Sequence, residues 1–344
     1  MKHDNWCTKL DVPINEQGLF RVKVMTARLI QAKVSWFKPL FLGPNNNHHN
    51  SNSNNNNSND NNNNISDAGS RSFVSTAAMA NTAPEGEQLL VSVDRESHIA
   101  TLTINRAAKL GSFTKTLFAA LITALEELGQ DKAVPCILLT SKGRAFSAGN
   151  DVLGETPPDS LAREAIAAIE NCPVPVVAVV SGFAYTGALE VLVAADLVIA
   201  AESAYFQDTH AQLGLVPTWG GNVRLPRVMG LKVAKELMFT CRRFSAQEAL
   251  SWGLINKVVP DASLAEEALR LAAAIARNSR DSIAKQKRAM TEALRRPLAD
   301  ALEWNARTHP GHGEDVQERL LALRSAGEKK SESGSSKPEA HSKL

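Results

Sequence analysis

The stretch Phe146-Ser147-Ala148-Gly149-Asn150-Asp151 and its counterpart Gly182-Phe183-Ala184-Tyr185-Thr186-Gly187-Ala188-Leu189-Glu190 decide how this chain is read. Each glycine loop follows an apolar run rich in β-branched residues and leads toward a helical pattern, a repeated strand–loop–helix order that marks an α/β core. Glycine lets a backbone approach a partner that a side chain would hold off. Two such loops can therefore aim two backbone N–H groups at one oxygen, the arrangement that stabilises an oxyanion. Glu190 stands one helical turn beyond Gly187, within Ala-Leu-Glu-Val-Leu-Val-Ala-Ala. An acid on an otherwise apolar helix is costly to bury alone. It is either salt-bridged to a nearby Arg or Lys, or a general acid/base whose pKa desolvation raises.

Outward from these loops, residues 89–93 and 99–104 alternate as a hairpin around Asp94-Arg95-Glu96-Ser97. Apolar runs at 135–140, 175–180 and 197–201 read as buried strands. Residues 114–128, capped by Thr114 or Ser112, then 159–171, 189–195 and 231–240 read as helices. From Ser263, itself a candidate cap, the pattern is wholly helical: 264–278, 281–295 and 297–323. That is more helix than the core needs to cover itself, and such a region docks on a neighbouring subunit. The expected organisation is an extension over 1–87, an α/β core over 88–262, a helical oligomerisation region over 263–326 and a flexible polar tail over 327–344.

The composition narrows the function. A formal net charge of +2 over 344 residues argues for neither nucleic acid nor an anionic membrane as partner. Aromatic residues make up 5%, too few for base-stacking platforms. Cys7, Cys136, Cys172 and Cys241 are scattered without a paired motif, as in reduced proteins. The histidines show no metal-ligand spacing, so no metal is expected. No apolar run has the length of a membrane span. Residues 45–64 are almost pure Asn, Ser and His, a composition that does not offset its ordering entropy. Ahead of them, residues 21–38 carry five basic and no acidic residues, like a weak transit peptide or membrane-surface helix. Asp4, Asp11 and Glu16 weigh against transit, and a start at Met79 is the alternative. At the other end, Ser342-Lys343-Leu344 is a peroxisomal address read by an import receptor. The expected location is the peroxisomal matrix, with mitochondrion or plastid as the alternative.

The ordered motifs carry a resemblance. Ile104-Asn105-Arg106, Gly143 to Asp151, Pro175-Val176-Val177-Ala178, Ser181-Gly182-Phe183-Ala184, the pair Glu190 and Asp196, Leu213 to Gly221, Phe244 to Ala249 and Gly253-Leu254 occur in register. The set resembles the crotonase superfamily, the enoyl-CoA hydratase/isomerase family, over residues 88–325. The resemblance implies a ClpP/crotonase-like spiral of ββα units with a C-terminal helical region that builds homotrimers, often paired into hexamers. It implies an acyl-CoA thioester substrate, with coenzyme A part of the substrate and no separate cofactor. It makes Asn150 and Gly187 the oxyanion donors and Glu190 one of two catalytic glutamates. Each donor lowers the barrier by about 3 kcal/mol as negative charge grows on the thioester oxygen.

The chain departs from the pattern at the second glutamate. The position four residues after Phe206 holds His210, within Phe206-Gln207-Asp208-Thr209-His210-Ala211. The Asp-Thr-His-Ala run resembles a sub-branch with peroxisomal plant members. A histidine can hold a water or move a proton near neutral pH, and Asp208 can orient it or act as an alternative carboxylate. The other reading of His210 is a structural side chain in the pocket wall. For the CoA moiety, the family's Leu-Asn-Ala-Leu-like stretch reads Leu110-Gly111-Ser112-Phe113 here, so the Asn is lost. By the same resemblance, Lys109 is a partner for CoA phosphates, Ser147, Ala148 and Asp151 line the adenine-side wall, and Lys287 reaches a phosphate in its own or a neighbouring subunit. The expectation is a hydratase of 2-enoyl-CoA thioesters in fatty-acid β-oxidation. A Δ3,Δ2-enoyl-CoA isomerase or a weakly active acyl-CoA-binding homologue is the alternative.

Overall fold

The structure is a computed structural model, and it describes residues 86–333. The expectations for the N-terminal extension and for Ser342, Lys343 and Leu344 lie outside the described residues.

Strands β1 (Leu89–Val93) and β2 (Ala100–Ile104) form the antiparallel hairpin at the edge of the main sheet. Its turn is closed by Asp94, whose Oδ1 accepts the N–H groups of Glu96 and Ser97 at 3.1 and 2.7 Å. Parallel pairing then links β2 to β3 (Ile137–Ser141), β4 (Val176–Val180), β6 (Leu197–Ala201) and β9 (Lys257–Val259). The strand order is β1-β2-β3-β4-β6-β9. All five residues of β4 are buried, as expected of a central parallel strand covered on both faces. Helix α1 (Lys115–Gln130) starts at Thr114, whose hydroxyl accepts the Leu117 N–H at 3.0 Å. It buries Leu117, Phe118, Leu121, Ala124, Leu125 and Leu128, the spacing of one helical face. Helix α2 (Asp159–Asn171) occupies the expected span between Pro158 and Cys172-Pro173.

A second, three-stranded sheet of β5 (Phe183–Tyr185), β7 (Tyr205–Gln207) and β8 (Phe244–Ser245) positions the glycine loops. The chain leaves β4, turns at Ser181-Gly182 and enters β5, which ends just before α3 (Gly187–Leu192). The loop 146–151 is stitched between Phe113 and β5. Ser147 bridges Ala184, Asn150 bridges Phe113, and the Phe113 N–H donates to the Gly149 carbonyl at 2.7 Å.

The remaining helices are α4 (Gly221–Met229), α5 (Leu231–Thr240), α6 (Ala246–Ser251), α7 (Leu264–Ala276), α8 (Arg280–Ala293), α9 (Leu298–Thr308) and α10 (Val316–Ser333). Among the described residues, no helix is long and apolar enough to cross a membrane. Four expectations are corrected. The helix expected over 189–195 is α3, which starts earlier and ends at Leu192. The helix expected over 297–323 is two helices. His309 is extended at φ −116° and ψ 125°, as a residue before proline prefers, and Pro310-Gly311 breaks the run. The tail expected to be irregular from 327 continues as α10 to Ser333. Ser263 makes no side-chain cap bond to α7.

Candidate active site

The two glycine loops meet. Gly149 has φ +88°, and a Cβ there would lie 2.9 Å from the Tyr185 carbonyl oxygen and 3.1 Å from the Gly187 nitrogen. Only glycine fits at that junction. The contact brings the N–H groups of Asn150 and Gly187, expected as a donor pair, onto neighbouring strands of backbone. Gly187 is the first residue of α3, so its N–H has no acceptor within the helix.

Thr186, which aims that N–H, is strained. Its φ of 53° and ψ of −107° are unusual for a β-branched residue. The surroundings hold it there. Its N–H donates to the Gln207 carbonyl at 2.9 Å, and its hydroxyl lies 2.5 Å from the Thr209 hydroxyl. The Thr209 N–H donates to the same Thr186 oxygen at 3.3 Å. Thr209 sits between Asp208 and His210, so a hydroxyl pair couples the Gly187 loop to the segment bearing His210.

Glu190, in the first turn of α3, is 2% exposed. Its Oε1 accepts the N–H groups of Trp219 at 3.0 Å and Gly221 at 2.8 Å. No Lys or Arg among the described residues pairs with it, so the salt-bridge alternative is not what the structure contains. Its Oε2 faces the Nε2 of His210 at 3.7 Å. Burial pushes the Glu190 carboxyl above the usual carboxylate range. The Gly221 N–H, His210 and the Trp219 N–H pull the other way, and Asp208 adds to the rise. The Trp219 and Gly221 donors lie in the 213–221 motif that the sequence singles out without giving it a role.

His210 is 9% exposed and is held from the far side. Its Nδ1 lies 2.8 Å from Asp208 Oδ1, and the same oxygen accepts its backbone N–H at 2.9 Å. Asp208 is buried. The result is a chain Asp208–His210–Glu190 in which the imidazole presents Nε2 to a buried carboxylate. Such a group of acids and a histidine can move protons or hold a water.

The residues expected around the CoA moiety are dispersed. Lys109 is exposed on a short 3₁₀ turn, Ala107–Lys109, beside the glycine loop. Ala148 is partly exposed in that loop. Ser147 is fully buried, and its hydroxyl accepts the Gly149 N–H at 3.1 Å, so its side chain shapes the loop instead of forming an outer wall. Asp151 is ion-paired with Arg106 at 2.9 Å. Lys287 is 7% exposed, and its ammonium points inward to Asp196 Oδ2 at 2.5 Å and to the Ile169 carbonyl at 3.2 Å. Within this chain the ammonium is held by Asp196 and the Ile169 and Val174 carbonyls instead of facing a phosphate.

The enoyl-CoA hydratase/isomerase family model matches residues 94–327. The chain is 31% identical over 222 residues to a protein of Arabidopsis thaliana named probable enoyl-CoA hydratase 1, peroxisomal, covering 62% of this chain and 83% of that one. It is 35% identical over 189 residues to the 1,2-epoxyphenylacetyl-CoA isomerase of Escherichia coli, covering 52% and 72%. The crystal structure of an enoyl-CoA hydratase from Bacillus anthracis matches with a TM-score of 0.66 at 31% identity, covering 70% of this chain and 97% of that chain. With its motifs in register from the first hairpin to the last helices, the chain belongs to the enoyl-CoA hydratase/isomerase family and has the crotonase fold.

Proposed function

We propose that this protein is an enoyl-CoA hydratase that adds water to 2-enoyl-CoA thioesters in fatty-acid β-oxidation. The observation that carries the reading is the buried Glu190 carboxylate, held by two backbone N–H groups, with one oxygen turned toward His210. The thioester oxygen sits between the N–H groups of Asn150 and Gly187. Negative charge gathers on it as water adds at C3, and these donors, with the N-terminus of α3, stabilise that charge. Glu190 removes a proton from the water while the oxygen bonds to C3, and a proton returns to C2 as the enolate collapses. His210, oriented by Asp208, holds the same water through Nε2 in place of a second glutamate. Coenzyme A enters as part of the substrate, with Lys109 at its phosphates and Ala148 along its adenine, and no separate cofactor takes part.

The alternative chemistry is Δ3,Δ2-enoyl-CoA isomerisation, which needs one base to carry a proton between C4 and C2. The observation that favours it is that Glu190 alone of the two carboxylates has an oxygen facing the imidazole Nε2 and free of backbone donors, so one base is on hand for both proton transfers. Crotonyl-CoA hydration and 3-hexenoyl-CoA isomerisation, followed side by side on residues 79–344 and on the full chain, separate the readings. Fast hydration supports the hydratase, isomerisation alone makes the isomerase correct, and thioester binding with neither activity leaves an acyl-CoA-binding homologue.

The assembly is a homotrimer or hexamer, a reading supported by the large apolar side chains exposed along α8, its C-cap and α9: Met290, Leu294, Leu298 and Leu302. The address Ser342-Lys343-Leu344 and the peroxisomal name of the Arabidopsis relative support import into peroxisomes. Deleting those three residues should release a tagged protein from that compartment, and unchanged targeting would contradict the address.

A further inference from the structure

Trp219 is anchored on every side. Its backbone N–H holds Glu190 Oε1 at 3.0 Å, and its carbonyl accepts from Arg224 at 3.2 Å. Its indole N–H donates to Asp159 Oδ1, at the start of α2, at 3.0 Å. The ring is 5% exposed and meets Phe118 edge-on at a centroid distance of 5.3 Å and Phe113 at 6.4 Å. Those two rings stack on each other at 4.9 Å. On its other side the indole lies against Gly187, where a Cβ would stand 2.5 Å from Cζ3. One side chain therefore touches the residue whose N–H is aimed at the thioester oxygen, while its own backbone holds the carboxylate that works on C2 and C3.

We propose that the Trp219 indole is the end wall of the acyl pocket and restricts the enzyme to short 2-enoyl chains. The inference rests on the thioester being held as described under the proposed function. With the carbonyl oxygen at Gly187 and the reacting carbons at Glu190, the next methylenes have to run along the wall that joins these residues, and that wall is the indole. The ring does not swing aside easily. Two aromatic rings back it, and the hydrogen bond to Asp159 fixes its one polar edge. A longer chain has to displace a close-packed aromatic cluster, and interiors of this density give way poorly.

The test is a chain-length series of crotonyl-, hexenoyl-, octenoyl- and decenoyl-CoA, assayed with wild type, Trp219→Ala, Trp219→Leu and Asp159→Ala. For the wild type kcat/KM should fall by about tenfold or more from crotonyl to decenoyl, since each mismatched methylene costs a factor of this order. Trp219→Ala should raise the decenoyl-to-crotonyl ratio by about tenfold or more. Asp159→Ala, which keeps the ring and the core, should raise the ratio in the same direction by less. Trp219→Leu covers the case in which the alanine variant does not fold. A wild type that accepts decenoyl as well as crotonyl, or variants whose rates fall equally at every length, overturns the wall. A wild type that hydrates none of the four overturns the hydratase reading and the wall with it, a result distinct from a flat profile.

Discussion

Two acids with raised carboxyl pKa lie six positions apart in this chain, one buried and one partly open to solvent, and their surroundings could hardly differ more. Asp196, at the entrance to β6, accepts the Val176 N–H at 2.8 Å and the ammonium of Lys287 at 2.5 Å. Lys287 spends further donors on the carbonyls of Ile169 and Val174. Glu190 has two backbone N–H groups on one oxygen, no lysine or arginine among the described residues, and a histidine facing the other. Burial pushes both carboxyls above the usual range, opposed by Lys287 at Asp196 and by the Gly221 N–H and His210 at Glu190. The contrast separates a structural acid from one poised to react. One neutralised by a full cation joins β6 to α8 and is part of the architecture. One held by dipoles, with an oxygen left over, keeps the freedom to exchange a proton.

The comparison breaks first if Glu190 behaves like Asp196. Glu190→Gln should lower kcat for crotonyl-CoA hydration by about 10²–10⁴, the range of general acid/base terms, in steady-state assays. Lys287→Met should act on stability alone. Losing the charged hydrogen bonds of the ammonium should cost about 1.5–3 kcal/mol, read by urea denaturation, with kcat of the folded fraction unchanged. Asp196 is partly open to solvent, so a somewhat smaller loss fits the same account. His210→Ala should slow hydration by at least about tenfold if the imidazole shares the water. An unchanged rate would make His210 a structural wall.

A smaller effect tests the link between the loops. Thr209→Val removes the hydroxyl that holds strained Thr186, and kcat should fall roughly fivefold with KM little changed, because the Gly187 N–H loses its aim. Thr209→Ser should restore the rate. A loss of melting temperature without a change in kcat would reduce the pair to packing. The smallest effect concerns pH. A carboxyl whose folded pKa lies above its unfolded value binds its proton more readily in the native state. Its contribution is present below the ordinary carboxylate range and is lost as pH rises through the raised value. Stability should therefore fall as pH rises out of the ordinary carboxylate range and through the raised value, and Glu190→Gln should flatten part of that fall, measured as the shift in urea midpoint.

The parts legible in the sequence were those with strong local signals. Helix α2 is bounded by prolines, the parallel strands are continuous apolar runs, and the two glycine loops stand out by composition. The second sheet was not legible, because β5, β7 and β8 span three, three and two residues and show no periodicity. The break between α9 and α10 was readable from Pro310-Gly311, but the apolar spacing on either side masks it. At the site, the glutamate and the histidine announce themselves by residue type. Their partners do not. The N–H groups of Trp219 and Gly221 are backbone groups that any sequence supplies, and the pairing of Lys287 with Asp196 spans 91 positions. Thr186 is strained through φ and ψ, which no side chain advertises.

The most direct test of the account is turnover of crotonyl-CoA by Glu190→Gln, with butyryl-CoA binding and thermal unfolding measured on the same preparation. Turnover should be lost while binding and melting temperature stay at or above the wild-type level. Turnover that survives, or that disappears together with binding and stability, would contradict it and return Glu190 to the same class as Asp196.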